Sequence, residues 1–189
     1  MTTKNMIITA TMLITGSIPA APASVVLPSS IAVAELAKET LAKTTLKQVQ
    51  VSAATVADQA DHLRLMASLT ASPESHLVEL VALKDEVNRM GQEIKMLKVA
   101  GDSLAPFEQQ ALENILPLFR AVAANTESAI DYFNEHQEHL WTEANREYAD
   151  RVSQDSEQIA KILKNCLKYD KLLMQEKQIG EHIRANSGA

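Results

Sequence analysis

Four stretches of this sequence place apolar residues at alternating spacings of three and four, and short breakers separate them. That spacing draws one narrow stripe along a helix and no usable face along a strand. The chain is therefore read as helices burying coiled-coil-like seams against one another. The first seam carries Ala42, Leu46, Val49, Ala53, Val56, Ala60, Leu63 and Ala67. The second carries Leu80, Leu83, Val87, Met90, Ile94 and Leu97, and the third Phe107, Ala111, Ile115, Leu118, Val122, Ala129 and Tyr132. Tyr148, Val152, Ile159, Ile162, Cys166, Tyr169 and Leu173 form the fourth. Composition agrees: aromatics are 4% of the chain and glycines only five, which argues against a turn-rich sheet protein.

The breakers set the helix limits. In Ser72-Pro73-Glu74 the serine serves as N-cap, the proline takes the first helical position, and the acid meets the positive end of the dipole. Gly101 stops the second helix, Pro106 opens the third and Thr142 caps the fourth. Helices are expected over about residues 30–70, 74–100, 106–140 and 143–184. Connections this short force antiparallel neighbours. Level seams then pair Leu63 with Leu80 and Val56 with Val87 at the first turn, Met90 with Ile115 at the middle turn, and Tyr132 with Tyr148 at the last. The predicted fold is all-α: one domain over residues 24–189, an antiparallel up-down-up-down four-helix bundle with long, uneven helices. Unequal lengths make the third and fourth helices project beyond the first turn. The start of the first and the end of the fourth run past the middle turn as a two-helix stalk. Pro117 predicts a kink, and Gly91 weakens its helix by about 1 kcal/mol relative to alanine.

Residues 1–23 read as an export signal: Lys4 is the only charge, Met6 to Ile18 is an apolar run, and Ala21-Pro22-Ala23 is a small-x-small cleavage pattern leaving Ser24 first. The run is shorter than the ~20 apolar residues of a spanning helix, so membrane attachment requires that residues 6–18 stay uncleaved. The expected location is exported, periplasmic or secreted. The net charge is −6, and losing Lys4 makes it one unit more acidic, which disfavours nucleic acid as a partner. A single cysteine, Cys166, excludes a disulfide framework within the chain.

Several side chains break the apolar rule or cluster. Asn125 and Asp155 fall opposite each other on the third and fourth seams, with Arg151 one turn before Asp155 and His76 nearby on the second helix. They read as a hydrogen-bonded pair that fixes register; with His76 they are the best candidate ligand pocket. His136 and His139, three apart on a helix, share a face and could hold a metal with a third ligand such as Glu143; a solvated helix end is the plainer account. Tyr132, Phe133, Trp141 and Tyr148 gather at the third turn, either as a partner-binding tip or as a closing cluster. Lys161, Lys164, Lys168 and Lys171 read as a solvated face balanced by Glu157, Glu79, Glu86 and Glu93, and Cys166 as a buried small hydrophobe. Glu-x-x-His pairs, a Cys-x-x-Cys-His haem motif, a phosphate loop and a nucleophile elbow are all missing from the sequence. No cofactor and no enzymatic activity are expected.

Trp141-Thr142, Arg146-x-Tyr148-Ala149, Gln154 to Lys161 and Tyr169, with Ala129 to Asn134 before them, resemble a set of small exported proteins of soil bacteria. The resemblance covers the C-terminal half and implies export without implying an activity. The functional expectation is an exported, non-enzymatic bundle acting as a scaffold, adaptor or chaperone-like interaction module, with a protein partner or self-association. The alternatives are a small-ligand or metal-binding periplasmic bundle and a membrane-anchored envelope protein.

Overall fold

The computed structural model describes residues 30–187, apart from residues 70, 138, 139 and 141, and describes side chains from Ala37 onward. The signal segment of residues 1–23 and its apolar run lie outside the described residues, as do His139 and Trp141. Four helices, α1 (Ser30–Ser68), α2 (Pro73–Val99), α3 (Pro106–Glu135) and α4 (Glu143–Ser187), account for the fold, with one 3₁₀ turn at Gly101–Ser103 between α2 and α3. They form an all-α four-helix bundle in which α1 packs most extensively on α4, α3 on α4 and α1 on α2, while α2 and α3 touch least. The first two seams are core throughout, with Leu46, Leu63, Leu83, Met90 and Leu97 fully buried. On α3 and α4 the core is Ile115, Val122, Val152, Ile159 and Leu163, with Leu163 in place of the expected Ile162 and with Tyr169 and Leu173 exposed.

The caps follow the sequence. Ser72 sits in extended conformation and its Oγ accepts from the Ser75 N–H at 3.3 Å, with Pro73 opening α2. Thr142 Oγ1 accepts from the Asn145 N–H at 3.5 Å. At the start of α3 the Glu108 carboxylate accepts from the Ala105 N–H at 2.8 Å. That is half of a capping box, since alanine has no side-chain acceptor to return the bond. α3 runs unbroken through Pro117.

Polar contacts between the helices fix their levels. The Ser52 hydroxyl donates to Glu93 at 2.8 Å across α1 and α2, within a residue or two of the expected pairing. Tyr132 and Tyr148 meet as predicted, their ring centroids 6.3 Å apart. Phe119 lies against Gly91, about a turn from the expected partner, because long helical side chains lean back toward the N-terminus. A Cβ at Gly91 would stand 2.9 Å from Phe119 Cζ, so the glycine makes room for that ring. Arg64 to Asp150 at 3.2 Å and Lys43 to Asp170 at 3.0 Å align α1 with α4.

Two expectations about the ends separate here. α3 stops at Glu135, not near residue 140. With Arg64 level with Asp150 and α4 beginning at Glu143, the α3–α4 turn lies flush with the α1–α2 turn, and the expected projection of that hairpin is absent. At the opposite end Lys43 pairs with Asp170 and Phe107, one residue into α3, stacks edge-on with Tyr169 at 5.1 Å. α2 has ended by Val99, so Ser30 to Ala42 of α1 and Lys171 to Ser187 of α4 run on beyond the middle turn as the expected stalk.

Candidate functional site

The flush end is built on His76, Phe133, Leu140 and Asn145, all buried. His76, only 1% exposed, sits in the first turn of α2, and its Nδ1 faces the Ser72 carbonyl oxygen at 3.1 Å. A carbonyl can only accept, so Nδ1 carries a proton, and in the neutral ring Nε2 then presents a lone pair. Nε2 is buried without a hydrogen-bond partner, as is Oδ1 of Asn145, whose Nδ2 donates to the Leu140 carbonyl at 2.8 Å. The levels set by Ser52–Glu93 and Arg64–Asp150 put His76 and Asn145 in one layer. Two unpaired acceptors at one level of an apolar core suit a small molecule that donates two hydrogen bonds, water being the simplest.

The predicted partners of His76 do not join it. The same levels place Asp155 near Gln59, about 15 Å along the axis from the His76 layer at 1.5 Å per residue. Asn125 donates to the carbonyl of Ala121 on its own helix at 2.9 Å rather than to Asp155. Both are half-buried. Arg151 turns away to Glu147. Among the described residues the Asp155 carboxylate has no hydrogen bond or ion pair, and burial pushes its pKa up. The register-fixing pair is corrected to two separate side chains, because a mid-helix asparagine can satisfy its amide on the carbonyl four residues back.

The histidine face is also corrected. His136 is the first residue past α3, with φ −132° and ψ 37°, so the helix on which the pairing was expected ends before it, and His139 lies outside the described residues. Its ring stacks on Tyr132, centroids 4.3 Å apart and planes 13° off parallel. No group of three or more histidine, cysteine or acidic side chains able to hold a metal occurs among the described residues. Nor do the aromatics among the described residues form an exposed tip. Phe133 is 5% exposed, Tyr132 shares a hydrogen bond with the Thr142 hydroxyl, and Tyr148 packs on Tyr132. These three close the end of the bundle.

The lysine stripe is exposed, and among the described residues Lys161, Lys164, Lys168 and Lys171 form no ion pair. Two of the acids expected to balance it face elsewhere: Glu93 accepts from Ser52, and Glu86 pairs with Arg89. α2 stands diagonally across the bundle from α4, which keeps its acids from the stripe.

A second polar cluster, missed from sequence, lies at the base of the stalk. Glu108 is buried, and one carboxylate oxygen holds the Ala105 N–H while the other has no partner. Burial raises its pKa; the Ala105 N–H and the Lys43 charge oppose that rise, while Asp170 and Glu39 add to it. Burial would lower Lys43, but its bonds to Glu39 and Asp170 reverse this and raise it. Cys166 belongs to the same region: burial first, then Glu108 and Asp170, push its thiol up to about 11, so it is no nucleophile at neutral pH. Nothing in the spacing marks Glu108, which reads as an ordinary helix-start acid. Only the Ser-like N-cap slot filled by Ala105 hints that the acid must supply the cap.

The chain matches no protein-family model, no curated protein and no solved structure. No described helix is long and apolar enough to cross a membrane.

Proposed function

We propose that the chain is an exported, non-enzymatic helical module that works by binding protein through its outer surface. The observation that carries this reading is the run of large apolar side chains on the end of α4: Leu172 is 53%, Ile179 60% and Ile183 62% exposed. Scattered exposed apolar residues are ordinary, whereas several aligned along one face of a helix, here broken only by Glu176, mark a surface that another chain covers. The export reading rests on the signal-like residues 1–23.

The test is chemical cross-linking in the exporting host, followed by mass spectrometry of the recovered protein. Support is a cross-linked protein captured by the wild type and lost from Ile179→Glu. A wild-type protein and variant with identical cross-links would overturn the reading.

A second reading, a small-ligand bundle, is favoured by the paired acceptors at His76 and Asn145. A stoichiometric adduct in the native mass spectrum, lost in Asn145→Leu with helicity intact, would establish it in place of the first.

A further inference from the structure

The stalk leaves one side of α4 uncovered, and the ring contacts identify that side. Tyr148 packs on Tyr132 near the end of α3, and Tyr169 packs on Phe107 at its start. Tyr148 and Tyr169 stand three heptads apart, so both lie on the stripe of α4 that faces α3. The next positions of that stripe are Glu176 and Ile183, with Leu172 and Ile179 beside them. α3 begins at Pro106, so nothing of α3 remains to cover them. The bundle's interior surface thus continues past the point where two of its four helices have stopped.

We propose that a second copy of this chain covers the stalk, two stalks meeting tail to tail about a two-fold axis so that each supplies the two helices the other lacks. This deepens the interaction-module reading and rests on it. Continuity decides the occupant. The seam alternates three and four like the rest of α4. A second α1–α4 pair has the complementary shape by identity, as a two-fold contact requires. Leu41 of α1, level with Leu173, adds an exposed apolar side chain to the same end.

Size sets the strength. Lys171 to Ser187 spans about 25 Å, and two helices side by side are about 20 Å wide. The face is on the order of 500 Å² per copy, near 1,000 Å² in total, at the lower limit for a specific interface. Glu176 lies within the seam, and a charged seam residue weakens the pairing. The dimer is therefore concentration-dependent.

Sedimentation velocity on the full chain, from about 1 to about 300 µM, brackets an interface of this size. The wild type is expected to pass from monomer to dimer across that range. Ile179→Glu is expected to weaken the dimer at least tenfold and Glu176→Leu to tighten it about tenfold, a pair of opposite shifts. Both side chains are exposed, so circular dichroism should show unchanged helix content. A dimer indifferent to Ile179→Glu would place self-association elsewhere and overturn the proposal. So would a wild type and Glu176→Leu that both remain monomeric throughout. A monomer that still loses its cellular cross-links in Ile179→Glu would overturn the dimer yet keep the broader reading, with a different protein on the stalk.

Discussion

The two ends of this bundle are built from the same helices and come to opposite states. At the flush end, α1 to α4 all stop within about a turn of one another, and Phe133, Leu140 and His76 fill the space between them. At the stalk end, α2 and α3 stop first, and the described side chains of α4 beyond Asp170 are left exposed. Helix length alone makes the difference: a seam is core only for as long as its partners last. The exposed stripe is not a distinct kind of sequence from the buried one. It is the same repeat continued past its neighbours.

The contrast can be broken by truncation. Phe133→Ala at the flush end is expected to cost about 3–5 kcal/mol, lowering the thermal midpoint by roughly 10 °C or more. Ile183→Ala on the stalk, measured at low concentration, should cost less than about 0.5 kcal/mol. Equal costs in thermal unfolding would erase the distinction between the ends. Ser72→Ala removes the cap on the flush-end turn and should cost about 1 kcal/mol by denaturant titration, with the slope unchanged.

The carboxylates sharpen the comparison through pH. Asp155 and Glu108 both have pKa values raised by burial, so the folded chain holds their protons more tightly than the unfolded chain. Stability from this source is present below the ordinary carboxylate range near pH 4 and falls as pH rises through the raised folded values. Asp155→Asn should therefore stabilise at pH 7 and flatten the pH dependence of unfolding. Glu108→Gln should flatten it too but gain less at pH 7, because the ionised form is the one that Lys43 and the Ala105 N–H favour. Asp155→Asn less stable than wild type at pH 7 would show a bond to that carboxylate. Gly91→Ala sets two opposed effects against each other. About 1 kcal/mol of helix propensity is offset by displacement of the Phe119 ring, leaving a net change within about 1 kcal/mol of zero by thermal unfolding.

Most of the architecture was legible because heptad spacing is a long, redundant signal. The Tyr132–Tyr148 pairing, the Ser72 cap and the stalk were all readable from it. What failed was local or cumulative. Chaining the three hairpin registers places Lys43 opposite Gln175, whereas it pairs with Asp170, about one turn away: errors of a residue or two at each turn add up. That drift is why His76 was grouped with Asn125 and Asp155. The end of α3 was misjudged because Glu135 to His139 has neither glycine nor proline to stop a helix. Asn145 and Glu108 were invisible as interior polar groups, since each looks like an ordinary residue of a helix's first turn.

Cys166 gives the molecule a built-in clock. Its thiol is buried beneath the base of the stalk, at the level where four helices become two, and is held protonated to about pH 11. A thiol-specific reagent can therefore reach it only when α3 or α1 lifts away from α4, and the labelling rate becomes the frequency of that opening. In an oxidising compartment the same geometry decides this residue's chemical lifetime: it lasts as long as the bundle stays shut.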